Sequence, residues 1–345
     1  MATRRPTLAD VAATAGVSKA AASRIINDAP GASPETRERV RKVIAQLGYR
    51  PDPVARALAS GHGAVVEMVA VDDAAIMGTS PYYGRVTAGI LQELTGSNAQ
   101  LRVHVVDEIR APALLDRIAG TVSPGAILVN VAPDLAGEFY ARCDRVVSMN
   151  RSAPGVPFID LENAEGAYAA VKHLRETGRS RIAAIHGPEG NPCADGRREG
   201  YRRAIRDMGL PEISAGGVFR REVGFAQAQR LLAEEPGLDA FFVACDLMAS
   251  GAMQALAVAG RRIPQDVAVV GFDDSLIASC TIPPMSSVHQ PVEEMAAAAT
   301  RALLSGQLAP HWRCVFPATL RVRQSSAEQL PRGKPVGEAR VVLPA

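Results

Sequence analysis

Two sets of residues in this sequence could do chemistry on a partner. The first is Lys19, Ala20, Ser23, Arg24 and Asn27. In a helix starting after Ser18 these share one side, while Ala22, Ile25 and Ile26 share the other. Ammonium, hydroxyl, guanidinium and amide groups above a sunken apolar face can read base edges in a major groove and hold phosphates. The second set stands where apolar runs end: Asp72-Asp73, Asn130, Asn150-Arg151, Cys245-Asp246 and Asp273-Asp274. Carboxylates and amides there can bind hydroxyls, although capping a turn or helix is their commoner use.

Other chemistries find no support. Six histidines form no H-E-x-x-H pattern, and no G-x-S-x-G occurs. His186-Gly187-Pro188-Glu189-Gly190 is glycine-rich but has neither the lysine nor the spacing of a phosphate loop. Five cysteines, Cys143, Cys193, Cys245, Cys280 and Cys314, are scattered without a C-x-x-C. Their odd number argues against a disulfide framework, and they read as small hydrophobes in a reducing compartment. The expectation is a protein that is not an enzyme, with no cofactor and no metal site.

The elements that must position the first set are legible. Leu8, Val11, Ala12 and Ala15 make one helical stripe. Thr7 before it and Asp10 three residues later form a capping-box pattern. Gly16 breaks this helix and Ser18 can cap the next. Two short helices around a glycine turn make a helix-turn-helix. A third helix closes the core: Ser33-Pro34-Glu35 is a start signal, Val40, Val43, Ile44 and Leu47 repeat on one side, and Gly48 ends it. Residues 1–48 therefore read as an all-α DNA-binding headpiece. Charge agrees: residues 1–60 hold ten Lys or Arg and five Asp or Glu, while the remainder holds 28 and 31. A basic end on a slightly acidic body fits a phosphate-binding module attached to something else.

At 345 residues the chain is long for one domain, and its 47% hydrophobic content can fill a sizeable core. The apolar stretch after Arg4 and Arg5 is interrupted by Asp10, so no secretory signal is read and a cytoplasmic location is expected. No run approaches the ~20 apolar residues of a membrane helix. Residues 49–63 follow the headpiece as a hinge: Pro51 and Pro53 stop the third helix, and Val54 to Ala59 are too few to be helical alone. From residue 64 strands and helices alternate. Strands are predicted at Val65–Val71, Leu101–Val106, Ala126–Val129, Arg145–Met149, Ile182–Ile185, Ala240–Ala244 and Val267–Phe272. Helices are predicted near 82–95, 111–119, 164–177, 194–209, 222–234, 246–260 and 292–305. Such alternation implies parallel sheets, whose ligands sit beyond the carboxyl ends of the strands. The segment 331–345, rich in Pro and Gly, reads as a flexible tail.

The stretches TLADVAATAGVS, SRIIN, SPETRERV and LGYRPDPVARALASG resemble the headpiece and hinge of the lactose-repressor (LacI/GalR) family of bacterial transcription regulators. PYYGRVTAGI, GAILVN, ENAEGA, RREGYRRAI, IPQDVAVVGFDDSLIA and LRVRQSSA resemble its body motifs in the same order, over residues 6–328. The resemblance implies an α/β body of two lobes, like periplasmic binding proteins, spanning 64–330. It further implies a sugar or sugar derivative as effector in the cleft between lobes, a homodimer (some relatives are tetramers), and a pseudo-palindromic double-stranded operator. Most relatives repress.

Residue by residue, the base-reading positions fall on Lys19, Ala20 and Arg24, and the phosphate-holding ones on Thr7, Ser18, Ser23 and Asn27. Leu58 matches a minor-groove wedge, and Arg56 lies on the same hinge. In the cleft, Tyr82 and Tyr83 match an aromatic pair, Phe219 an aromatic platform, and Arg197 the arginine of an R-x-x-G-aromatic motif. Asn150, Cys245, Asp273 and Gln290 match polar contacts. Arg197 and Asp273 together could read a polyol or a sugar acid. Departures from the family pattern are Ala21-Ala22 for Thr-Val, Asn150 for Asp, Glu162 for Asp and Cys245 for Asn. The competing reading, a solute-binding protein for transport, would share the body but need a secretory signal and no headpiece.

Overall fold

The computed structural model describes residues 6–26, 32–47, 65–97, 99–119, 124–305, 308–309 and 311–327. Asn27, Gly48, the hinge 49–63 with Arg56 and Leu58, and the tail 331–345 lie outside the described residues. The chain divides into two compact units, Met1–Ala64 and Val65–Ala345.

In the first unit, α1 (Leu8–Ala15), α2 (Lys19–Ile26) and α3 (Pro34–Leu47) enclose a small core of Val11, Ala15, Ile25, Val40 and Val43. The capping box forms as read: the Thr7 hydroxyl accepts from the Asp10 N–H, and the Asp10 carboxylate accepts from the Thr7 N–H at 2.7 Å. Gly16 ends α1 at φ +64°, a conformation that a Cβ would oppose. Ser18 caps α2 by accepting from the Ala21 N–H at 3.1 Å, and Ser33 does the same for α3 at Thr36. Ala22, one of the departures from the family pattern, is fully buried in this core.

The second unit holds two six-stranded sheets. The first lobe runs β1 (Val65–Val71), α4 (Ala74–Thr79), α5 (Pro81–Leu94), β2 (Gln100–Val106), α6 (Ala111–Ala119), β3 (Pro124–Val129), α7 (Pro133–Arg142), β4 (Val146–Ser148) and β5 (Phe158–Leu161). The second runs α8 (Asn163–Glu176), β6 (Ile182–His186), α9 (Pro192–Asp207), β7 (Ile213–Gly216), α10 (Arg221–Glu234), β8 (Ala240–Val243), α11 (Asp246–Val258), β9 (Ala268–Asp273), α12 (Leu276–Cys280) and β10 (Ser286–His289). The chain then returns: α13 (Val292–Leu304) packs on α5, β11 (Arg313–Phe316) joins the first sheet beside β5, and β12 (Thr319–Arg321) joins the second beside β10. It therefore crosses between lobes three times, after β5, after β10 and after β11.

The strand orders are β11-β5-β4-β3-β1-β2 and β12-β10-β9-β8-β6-β7. All pairings are parallel except β10 with β12. Elements beyond those predicted are α4, α7, α12, β5, β7, β10, β11 and β12. Most are short, and a run of three to six residues shows too little period to be recognised. Among the described residues no helix is long and apolar enough to cross a membrane.

Candidate functional sites

The outer face of α2 stands as the sequence implied. Lys19, Ala20 and Arg24 are exposed and Ser23 half-exposed, whereas Ala22 and Ile25 are buried. The Ser18 hydroxyl accepts at the cap, which leaves its O–H to donate. Thr7 differs: its hydroxyl both accepts from Asp10 N–H and donates to the Asp10 carboxylate at 2.7 Å, so its first duty is the cap of α1.

In the second unit a cleft of about 700 Å3, including its open mouth, lies beyond the carboxyl ends of the parallel strands. That volume suits a small organic ligand. All eight residues expected there line it: Tyr82, Tyr83, Asn150 and Arg197, together with Phe219, Cys245, Asp273 and Gln290. The first lobe also contributes Asp72, Ile76, Ser80, Arg85 and Asn130, and the second Cys193, Leu247 and Ser275. Asp72 and Asn130 carried a signal, since each follows a strand. Arg85 and Cys193 carried none in isolation.

The members divide by what they already hold. Arg197 is only 3% exposed. Its Nε donates to Asn163 Oδ1 at 2.9 Å, Nη1 to the Ala244 carbonyl and to Asp273 Oδ1, and Nη2 to Gln290 Oε1 at 3.0 Å. Its guanidinium also covers the Phe272 ring at 3.7 Å. Arg197 thus ties β8, β9 and β10 to α8 and α9 while lining the cleft. Tyr83 is similarly engaged. Its hydroxyl donates to Asp72 Oδ2 at 2.6 Å and accepts from Asn130 Nδ2 at 2.6 Å, fixing both groups at the cleft wall. Asn130 is held at φ +56° and Asp273 at φ +106°. Strained backbone of this kind persists where surroundings over-determine it, commonly at binding sites.

Cys245 takes the N-cap of α11, its sulfur accepting from the Met248 N–H at 3.5 Å. Burial, with Asp273 close by, pushes its thiol up, so it stays protonated and unreactive. Cys193 donates to Asn191 Oδ1 at 2.8 Å, and burial pushes it up to about 11. Behind the cleft Asp246 is fully buried, accepting from Ser275 N–H at 2.7 Å and Ser287 Oγ at 2.6 Å. Burial and the Asp273 charge push its carboxyl up to about 7. Phe219 can lie flat at the cleft because Gly187 has no side chain: a Cβ there would stand 2.4 Å from the ring. Asn150, 7% exposed, lines the cleft with no partner for its side-chain amide among the described residues. At the rim Arg220 of the second lobe pairs with Asp73 of the first at 3.0 Å. Among the described residues no group of His, Cys, Asp and Glu is placed to hold a metal ion.

Comparison with known proteins adds the following. Residues 7–52 match the family described as bacterial regulatory proteins, lacI family, and residues 171–326 match the periplasmic binding protein-like domain. The chain is 34% identical to the HTH-type transcriptional regulator CelR of Thermobifida fusca, over 93% of this chain and 98% of CelR. Its fold is similar to a CelR–cellobiose complex, with a TM-score of 0.70 and 33% identity over 93% of this chain and 100% of that one. It is also similar to a lac repressor dimer bound to operator and the anti-inducer ONPF, with a TM-score of 0.68 and 27% identity over 94% and 99% of the two chains.

Proposed function

The chain belongs to the lacI family of bacterial regulatory proteins, and we infer that it is a sequence-specific transcriptional regulator whose hold on DNA is set by a small molecule in the cleft of its body. The observation that carries this is a pairing of two surfaces in one chain. One is the capped α2, presenting Lys19, Ser23 and Arg24 outward from a packed core. The other is a cleft whose walls present aromatic rings and polar side chains from both lobes. Sugars bind such walls with their apolar ring faces on aromatics and their hydroxyls on amides and carboxylates.

The effector is a sugar, a reading supported by the cellobiose bound to CelR in its complex. The protein acts as a repressor, in the cytoplasm, as a homodimer on a pseudo-palindromic operator, and it catalyses nothing. Arg24 and Lys19 read bases, Ser18, Ser23 and Asn27 hold phosphates, and Leu58 wedges the centre of the site. The test is selection of binding sites from random DNA by the full-length protein, repeated with millimolar cellobiose. A two-fold symmetric site whose affinity changes with a sugar is the expected result. Recovery of DNA without a common sequence would sink the reading.

A further inference from the structure

The cleft holds two cations, and each already has its counter-charge. Arg85, on α5 of the first lobe, grips both carboxylate oxygens of Glu293 at 2.7 Å with Nε and Nη2. The same guanidinium donates to the Asp273 carbonyl at 3.0 Å and to the Gln290 carbonyl at 2.9 Å. Arg197 is taken up by Asp273, Gln290, Asn163 and Ala244, as described. A guanidinium has five N–H donors, so each arginine has four in use. Among the described residues no other Lys or Arg lines the cleft.

The groups left over are acceptors and neutral hydroxyls, the Tyr82 and Ser80 O–H among them, with no free cation among the described residues. Asp72 keeps lone pairs beyond those facing Tyr83 and the Asp73 N–H. Asn130 turns its NH2 to Tyr83, which leaves its carbonyl oxygen. Asp273 has one carboxylate oxygen toward Arg197, and Asp246 lies just behind. Among the described residues lining the cleft, the Asn150 amide is the one without a partner, and it offers an acceptor and two donors. A phosphate or carboxylate entering here would leave water to meet carboxylates and neutralised cations, and a buried charge without a partner is strongly disfavoured.

Resting on the reading of this cleft as the effector site, we propose that it selects uncharged, hydroxyl-rich sugars and rejects their phosphorylated and acidic forms, the Arg85–Glu293 pair setting that selection. Of the polyol and the sugar acid that Arg197 and Asp273 could read, the polyol is favoured, since Arg197 already holds the Asp273 carboxylate within the chain. Glu293 is not itself in the cleft lining, so its charge can be removed while every lining residue keeps its identity and only the counter-charge of Arg85 is lost.

The experiment is calorimetric titration of the full-length protein with matched pairs: cellobiose against cellobionate, and glucose against glucose 6-phosphate, with inorganic phosphate alone as a third probe. The neutral member of a pair should bind at least tenfold tighter than its anionic partner, and phosphate should show no saturable binding. Glu293→Gln, which removes the counter-charge of Arg85, should narrow the gap at least threefold. Equal or tighter binding of an anionic member, or saturable phosphate binding by the unaltered protein, overturns the inference while leaving the cleft as effector site. A gap unchanged by Glu293→Gln overturns the assignment to the Arg85–Glu293 pair. Failure of neutral and anionic members alike overturns the sugar reading and this inference with it.

Discussion

Arg197 and Asn150 line the same cleft but differ in what they stand to lose. Removing Arg197 leaves Asn163, Gln290 and the Ala244 carbonyl without their donor and Asp273 without its cation, all in a buried setting. Breaking a buried ion pair in this way costs about 3–5 kcal/mol. Arg197→Ala should therefore show a large drop in urea midpoint before any effect on effector can be read. Asn150 has no partner among the described residues, so Asn150→Ala should unfold near the unaltered protein and weaken binding of the sugar effector by roughly tenfold or more, one to two hydrogen bonds' worth. Equal affinity in that variant would mean the amide faces only water. His186 is a third case: it is buried against Tyr201, with neither ring nitrogen partnered among the described residues. Burial, then Arg198 and Arg202, pull its pKa down from the usual 6.5 to about 4. The unfolded chain therefore binds this proton first. The stabilisation is complete above pH 6.5 and is lost as pH falls through about 4, up to about 3 kcal/mol in all. Asp246 acts oppositely, since its raised carboxyl loses stability as pH rises from the usual 3.8 toward about 7. Subtracting the profile of His186→Phe from that of the unaltered protein isolates the histidine. A flat difference between pH 7.5 and 5 would remove it from the acid response.

At the scale of elements, packing depends on helices that touch backbone to backbone. A Cβ on Gly251 of α11 would stand 2.1 Å from the Arg221 carbonyl oxygen, and one on Gly224 of α10 would stand 2.0 Å from that of Met248. The two helices meet through both glycines. Gly251→Ala forces them apart and should cost at least about 1–3 kcal/mol, seen as a lowered thermal midpoint of the body. The headpiece gives the opposite kind of prediction, one without a stability effect. Arg24 is exposed on α2, so Arg24→Ala should leave folding unchanged, cost about 1–3 kcal/mol on operator DNA and relax one base position per half-site. Equal weakening on random DNA would make it a phosphate contact. What could be read from sequence follows from range. The caps of α1 to α3 and the strand-end residues depend on neighbours three or four positions away, and these were legible. The Arg85–Glu293 pair joins residues 208 apart, and its partner carbonyls belong to residues equally remote. Nothing local in PYYGRV marks Arg85 as the residue that meets the return crossing after β10. Cys245 was legible as a departure from the family pattern, but its service as the cap of α11 needed the geometry of the strand–helix turn.

At the scale of the whole molecule the question is how a ligand in one unit changes what the other holds. The physical requirement is that the effector bind one arrangement of the lobes better than another, since a ligand indifferent to the two shifts nothing. Asp273 is placed for this. Its carboxylate faces Arg197 of its own lobe, while its carbonyl is held by Arg85 of the other lobe, next to the chain crossing at Gln290. Asp273→Asn keeps the carbonyl, and asparagine tolerates the φ of +106° better than alanine would. The charge alone is removed. The expected outcome is a protein with a lowered urea midpoint, because Arg197 loses its buried counter-charge, that still binds operator as before but whose operator affinity hardly responds to the sugar. Coupling is reciprocal, so operator DNA must change sugar affinity by the same factor that sugar changes operator affinity, and both factors must shrink together in the variant. Leu58→Ala should separate the two ends differently: operator affinity falls, through loss of the wedge, while sugar affinity measured without DNA stays put. Anisotropy titrations of labelled operator with and without sugar, and sugar titrations with and without operator, give all four constants. Loss of operator affinity in sugar-free Asp273→Asn would show that the carboxylate supports the DNA-binding arrangement itself, and the assignment of Asp273 to effector reading would fall.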